Sequence, residues 1–499
     1  MNKNNKWIYI LLFTIPAIYI LFSKMLDNDL WYILAEGRYI VQNGLYKVDV
    51  LSIHRGLDIV VQNWGASAIF WLIFDYFGEI GIITLVLVCN FAICTLLYKI
   101  CMIISDNKKW LSLIIMLISD LFLASFYLVT RPQIISYVLL LYLIYILEVY
   151  IHKHNKKILW IIPVISLIQI NLHSSLWLML FLFIIPYLLD GIKWKKFNFE
   201  GYNILPILWP TLVAVPTGLL NPYGYKAITF IFGSFMDKSM HLVVKELSSF
   251  SFSYSIGKCV FAVIVAIIVA ISLYKKGNLK IRYLCLILGT MLLGFISIKG
   301  FSHFFLVSFF PFACYFKDMT IKKISIKKWL VALYKYGIAT LAIASIIVVF
   351  GLYAKNSKNI SLANGTSEAL HTLSLLANPK TSKVYASFNN GGCVEYAGFK
   401  SYIDPRAEVY LKRNNHKEDI LKEFYDLQTG QLNLLNFIQK YNFTHILTDA
   451  TDILFNVIPD NYIVIYESAD YGMRLLARKD LFTREQIEEI ERQYQLSKK

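Results

Sequence analysis

The sequence predicts an all-α polytopic membrane domain of about 11–13 transmembrane helices followed by a small extracytoplasmic α/β domain. Three observations predict it. Hydrophobic residues make up 57% of the chain and charged ones only 16%, with a mean hydropathy of +0.54. A soluble domain carries about 25% charged residues, so much of this apolar surface needs lipid as its solvent. Apolar runs long enough to cross a bilayer recur through residue 355, and after that point short strand patterns alternate with helical ones.

Taken in order, the apolar runs lie at 7–23, 79–103, 110–128, 133–151, 158–172, 174–189, 204–220, 258–274, 281–297, 301–316 and 331–353. The run at 64–77 reads either as an interfacial or re-entrant helix or as a further span. The first run resembles a signal peptide, but no small-residue cleavage site follows it, so it is expected to stay as the first span. Between the first and second spans lies a long outer loop, 24–63. There Leu30, Ile33, Leu34, Ile40 and Val41 recur at helical spacing, with Glu36 and Arg38 on the other side. This fits an amphipathic helix lying on the membrane and ended by Gly44. Trp64 and Trp71 suit the head-group belt.

Cations set the orientation. If eleven spans alternate and 64–77 does not cross, one side collects Lys3, Lys6, Lys99, Lys108, Lys109, Lys153, Lys156, Lys157, Lys193, Lys195 and Lys196. The same side then gathers Lys275, Lys276, Lys280, Arg282, Lys317, Lys322, Lys323, Lys327 and Lys328. The opposite loops hold about half as many, which places the N-terminus in the cytoplasm and the C-terminal domain outside it, in a multi-pass plasma-membrane protein. The net charge of +16 is thus loop lysine facing anionic lipid. No basic stripe interleaved with aromatics speaks for nucleic acid. The abundance of Lys, Ile and Asn fits an AT-rich bacterial genome.

Residues 1–355 therefore form the transmembrane domain and 356–499 the soluble α/β domain. Strand patterns occur at 384–387, 401–403, 445–447, 462–466 and 473–476, and helical patterns at 417–440 and 483–495. Cys393 is the one cysteine of the tail, so that domain holds no internal disulfide, and no Cys/His spacing suggests zinc. Asp404, Arg406 and Glu408 read as a buried ion pair holding a strand and turn, or as a contact for an acceptor glycan. Asn364 and Asn442 begin glycosylation sequons that matter only in a secretory pathway.

Under this topology the unusual polar residues gather on the outer face. Asp27 and Asp29 follow the first span, Arg131 the third, and Asn171 and His173 the fifth. Asn221 to Gly224 and Glu246 follow the seventh, and Lys299 and His303 flank the outer ends of the next pair. Ionisable groups at membrane depth are costly and usually line a cavity. Each also has a plain reading: the acids as solvated caps for a helix starting at Leu30, Arg131 as a snorkelling anchor, His173 as a satisfied interfacial histidine. Likewise Lys299 and His303 suit interface anchors, and residues 221–224 a turn. As chemistry, a carboxylate can deprotonate an acceptor hydroxyl while its neighbour orients it or holds a divalent cation. Arginine suits phosphate oxygens through its forked donors.

These residues carry a resemblance. Asp27, Asn28, Asp29, Leu30 and Trp31, then Gly37, Gly44, Ser52 and the Gln62-to-Trp64 segment, resemble the glycosyltransferase C (GT-C) superfamily, and within it a bacterial branch of multi-span proteins. The segments at 131–133, 171–173, 221–224 and 402–406 match as well, so the likeness covers nearly the whole chain. It implies a GT-C-like membrane enzyme that uses polyprenyl-phosphate sugars. It also implies a catalytic acid in the first outer loop, Asp27 or Asp29, and a donor phosphate held by Arg131, His173, Lys299 and His303. Related bacterial sequences often carry Arg where Lys299 stands, which bears on the role given to that residue. Some members hold a divalent metal, Mg2+ or Mn2+, on the acidic pair and others use none.

The expected function is transfer of a hexosyl or pentosyl group from a polyprenyl-phosphate carrier to an extracytoplasmic glycan, lipid or protein of the cell envelope, with Asp29 as general base and Asp27 as its helper. The rivals are a transporter or flippase of lipid-linked glycans and a non-catalytic membrane assembly protein. A transporter calls for ionisable residues at mid-membrane and paired repeats; the run centres are nearly free of charge and no repeat is evident.

Overall fold

The computed structural model describes residues 3–22, 27–192, 200–235, 237–250, 263–264, 267, 280–318 and 364–497. Most of the run at 258–274 and all of that at 331–353 lie outside the described residues. In chain order the main helices are α1 (Lys3–Phe22), α2 (Asp29–Asn43), α3 (Trp64–Ile104), α4 (Lys109–Phe126), α5 (Gln133–Lys153) and α6 (Ile162–Leu172). They continue with α7 (Trp177–Asp190), α8 (Leu205–Thr217) and α9 (Ile281–Ile296), followed by the helical stretch Ile298–Phe316. The chain forms two compact units. One comprises Met1–Met25, Ile83–Ile228 and Glu246–Lys355, the other Leu26–Ile82, Thr229–Lys245 and Asn356–Lys499.

The first unit is helical. Among the described residues, Trp64–Ile104, Lys109–Phe126, Gln133–Lys153 and Ile298–Phe316 are long and apolar enough to cross a membrane. Four more apolar helices are shorter: Lys157–Leu172, Ser174–Asp190, Leu205–Thr217 and Ile281–Ile296. Within the described residues, the predicted runs at 158–172, 174–189, 204–220 and 281–297 thus form helices shorter than a full span. Prolines account for part of this, since Pro163 opens α6 while Pro186, Pro210 and Pro216 sit inside α7 and α8. Gly78, with φ 59° and ψ −153°, breaks α3 and makes 64–77 a helix separate from the run that follows. One departure from the charge-free run centres is Asp120, buried midway along α4 and facing Asn90 and Cys94.

Two ionic groups mark opposite ends of the first-unit helices. Arg282, counted above among loop cations, is in fact 1% exposed. Its guanidinium bonds Asp190 at 2.6 Å and Glu148 at 3.3 Å and pairs with Glu200, while Tyr187 and Tyr283 donate to Glu148 at 2.7 and 3.0 Å. Arg282 begins α9, whereas Asp190 ends α7 and Glu148 lies in the last turns of α5. Arg131 precedes α5, His173 precedes α7 and Lys299 follows α9. At 1.5 Å per residue, the 17 residues from Arg282 to Lys299 span roughly 25 Å.

The tail has helices α10 (Asn364–Leu376), α11 (Gly391–Tyr396), α12 (Ile420–Gln428), α13 (Leu434–Tyr441) and α14 (Arg484–Ser497). Its strands are β1 (Lys383–Ala386), β2 (Lys400–Ser401), β3 (His445–Asp449), β4 (Tyr462–Ser468) and β5 (Met473–Arg478). All five predicted strands form, in the order β2-β1-β3-β5-β4, parallel from β2 to β3 and antiparallel beyond. Asp419 and Asn433 cap α12 and α13, which divides the helical pattern at 417–440 in two. The tail is thus the small α/β domain that the sequence predicts. Packed into the same unit are α2 and the outer-loop residues behind it. Ser52 bridges Ser401 in parallel register, and the Ile53 amide donates to the Ser401 carbonyl at 2.8 Å.

Candidate functional site

In the first unit a cationic cluster forms at the end of the helices away from Arg282. Arg131 follows a turn in which its own amide donates to the Val129 carbonyl at 2.7 Å, and Pro132 then starts α5. Its guanidinium donates to Glu246 at 2.8 Å, and Lys299 lies 3.7 Å from the same carboxylate oxygen. Burial works against ionisation of Glu246, yet the charges of Lys299 and Arg131 hold its carboxyl down at about 2. Glu246 is 46% exposed, Lys299 43% and Arg131 14%.

The two histidines sit behind this rim. His173 caps α6 and its Nδ1 lies 3.2 Å from the Ser136 hydroxyl. Gln169 links both, donating to Ser136 at 2.9 Å and to the His173 carbonyl at 2.8 Å. His303 contacts the Ser302 hydroxyl at 3.3 Å and stands edge-on to Tyr137 and Phe183. The structure thus brings together Arg131, His173, Lys299 and His303 from three separate stretches. The sequence pattern singles out these four but not Ser136 and Gln169. Their only signal was a polar residue inside an apolar run. Asn171 and Asn221 do something simpler: Asn171 donates to the Leu220 carbonyl at 3.1 Å and Asn221 to the Ile170 carbonyl at 2.8 Å, tying the ends of α6 and α8.

The acidic pair belongs to the second unit. Asp27 accepts the Asp29 amide at 2.9 Å, and the Leu30 amide reaches the Asp27 carbonyl at 3.0 Å, so Asp27 holds the start of α2 while Asp29 is its first residue. Both side chains are half-buried. The helix ends where expected, its Gly44 amide on the Ile40 carbonyl at 2.9 Å with φ 85°. Glu36, read as part of the polar face, is instead buried. Gly37 lets α3 approach so closely that a Cβ there would stand 2.0 Å from the Ser67 carbonyl oxygen, and Ser67 donates to Glu36 at 2.8 Å. Burial raises the Glu36 carboxyl to about 7, against the pull of Arg406.

Behind α2 lies a sealed network. Arg406 bonds Asp49 at 2.9 Å, Asp404 at 2.8 Å and Glu395 at 3.4 Å, and Tyr410 donates to Asp404. Of Asp404, Arg406 and Glu408, read together as a buried ion pair, Asp404 and Arg406 form one, and the carboxylates that join them are Asp49 of the outer loop and Glu395. Burial and Asp404 push Glu395 well above the usual carboxylate range, and Arg406 holds Asp404 below it.

Chemically, two cations sharing one carboxylate form an anion-binding fork suited to a phosphate, while the acids at the head of α2 suit proton transfer or a hard cation. Among the described residues no three His, Cys, Asp or Glu side chains gather as a metal site. Asp27 and Asp29 supply two carboxylates, which matches the sparse protein ligation of Mg2+ sites completed by water and substrate phosphate.

No protein-family model matches the sequence, and no curated protein matches it. Among solved structures, the fold is similar to the archaeal oligosaccharyltransferase AglB from Archaeoglobus fulgidus in complex with an inhibitory peptide and a dolichol-phosphate. The TM-score is 0.55 over 90% of this chain and 70% of that one, at 10% identity. It is also similar to the Archaeoglobus fulgidus oligosaccharyltransferase tethered to an acceptor peptide containing the NVT sequon. There the TM-score is 0.53, over 89% and 69% of the two chains, again at 10% identity. At 10% identity the likeness is one of fold: the chain shares the overall fold of an oligosaccharyltransferase.

Proposed function

We propose that the chain is a membrane glycosyltransferase that moves a sugar from a polyprenyl-phosphate carrier to an acceptor outside the cytoplasm. The observation that carries this reading is the convergence of Arg131 and Lys299 on one exchangeable carboxylate, in a fold similar to that of an oligosaccharyltransferase solved with a dolichol-phosphate. The fork is the seat for the donor phosphate, with His173 and His303 behind it. An acceptor hydroxyl attacks the anomeric carbon from the face opposite the phosphate, and the bond from that carbon to the phosphate oxygen breaks. Asp29 takes the hydroxyl proton, oriented by Asp27. The lipid phosphate leaves with the bonding electron pair, its charge spread over Arg131 and Lys299. Where a divalent cation such as Mg2+ or Mn2+ is used, Asp27 and Asp29 would hold it, and it would supply Lewis-acid charge neutralisation.

A carrier lipid suits this setting because it delivers an activated sugar where no nucleotide sugar exists, and only its head group has to reach the rim. This reading requires Asp27, Asp29 and the rim cations to face the same compartment. Thiols introduced as Asn28→Cys and Leu172→Cys are expected to react with impermeant maleimide in intact cells. Chemistry is tested by purified Asp29→Asn protein supplied with a polyprenyl-phosphate sugar and an acceptor. Loss of a general base is expected to cost about 10²- to 10⁴-fold in kcat. Wild-type turnover by that variant overturns the assignment.

A further inference from the structure

We infer that the tail domain positions the proposed base, through a clamp that Arg38 and Gly392 close between α2 and α11. This rests on the assignment of Asp29 above. Arg38 leaves α2 and donates to the Tyr396 carbonyl at 2.9 Å and the Glu395 carbonyl at 3.3 Å, the last carbonyls of α11. A cation there satisfies acceptors that the helix leaves open and meets the negative end of its dipole. The guanidinium also lies 5.5 Å from the Trp71 ring centre and 5.6 Å from that of Tyr396, while Trp31 packs on Tyr396 at 5.0 Å.

Gly392 makes the approach possible. A Cβ at that position would stand 2.9 Å from the Tyr32 amide nitrogen and 3.0 Å from the Tyr32 Cβ. Downstream the loop is fixed a second time, by the Ser52 to Ser401 bridge, the Asp49 to Arg406 ion pair at 2.9 Å and the His54 Nε2 on the Tyr402 carbonyl at 2.8 Å. Asp29 occupies the first turn of α2 and Arg38 lies nine residues on, so a tilt of the helix at the clamp moves the carboxylate. Arg38 and Gly392 are positioning residues: neither touches substrate in this account.

The experiment uses the full chain in lipid nanodiscs with a polyprenyl-phosphate sugar donor. Arg38→Met and Gly392→Ala are each expected to lower kcat about 10- to 100-fold with donor KM changed less than about twofold. Arg38→Lys, which keeps a donor and a charge, is expected to recover part of the loss. Hydrogen exchange at the α2 amides is expected to quicken in Arg38→Met while strands β1 and β3 keep their protection. Wild-type kcat in both variants, beside an inactive Asp29→Asn control, overturns the clamp and leaves the base standing. If Asp29→Asn is itself fully active, the base assignment falls and the exchange data decide alone: unaltered α2 protection in Arg38→Met overturns the clamp.

Discussion

The rim cluster of the first unit and the Arg406 cluster of the second use the same chemical groups in opposite proportions. At the rim two cations share one carboxylate, and both Glu246 and Lys299 are more than 40% exposed. Around Arg406 one guanidinium, 3% exposed, serves three carboxylates that are fully buried. The first arrangement has cationic charge to spare and an anion that water can replace; the second has surplus acid locked away from any ligand. Charge balance together with exposure therefore separates a binding fork from a fastening, even where both are networks of ion pairs.

The comparison breaks most readily at Arg406. Replacing it with Met leaves buried acids without their cation, and about 3–5 kcal/mol of stability is expected to go. Denaturant unfolding followed by tail tryptophan-free far-UV signal and by protease resistance reads this loss; an unchanged midpoint would make the network ornamental. At the rim the balance reverses: Arg131→Met is expected to raise the donor KM about 10- to 100-fold, the worth of a charge-assisted hydrogen bond, with little change in melting.

Acidity sharpens the contrast further. Glu36 rises from 4.5 to about 7, so the folded chain binds a proton that the unfolded chain releases. The stabilisation is full below pH 4.5 and is lost as pH climbs through 7, a swing on the order of 3 kcal/mol. Glu36→Gln is expected to flatten that slope and to exceed wild type in stability above pH 7, as melting curves across the range would reveal. Smallest is the effect at Glu246. Substituting Gln removes the competing carboxylate and is expected to lower donor KM about threefold; a rise in KM would mean that the acid aids binding.

Much of this was legible in the chain itself. The five strands of the tail announced themselves by β-branched and aromatic runs, and α2 by its apolar spacing and terminal Gly44. Arg131, His173, Lys299 and His303 stand out in the sequence because each is an ionisable group beside an apolar run. What stayed hidden depends on partners distant in sequence. Glu36 has the period of an exposed residue, and only the close approach of Ser67 over Gly37 buries it. Arg282 looked like a loop cation until Glu148, Asp190 and Glu200 closed round it. The pairing of Asp49 with Arg406 joins residues 357 apart, and no local pattern encodes such a contact. Helix α11 was missed for a related reason: its short Gly391–Tyr396 sequence has little propensity of its own and forms against α2.

The central claim is that the rim holds a lipid phosphate, and its most direct test is binding rather than turnover. Polyprenyl phosphate titrated into nanodiscs carrying wild-type chain or the Arg131→Met, Lys299→Met double variant gives the answer. The account predicts at least about tenfold weaker binding by the variant at unchanged melting temperature. Equal affinity in the two would contradict it.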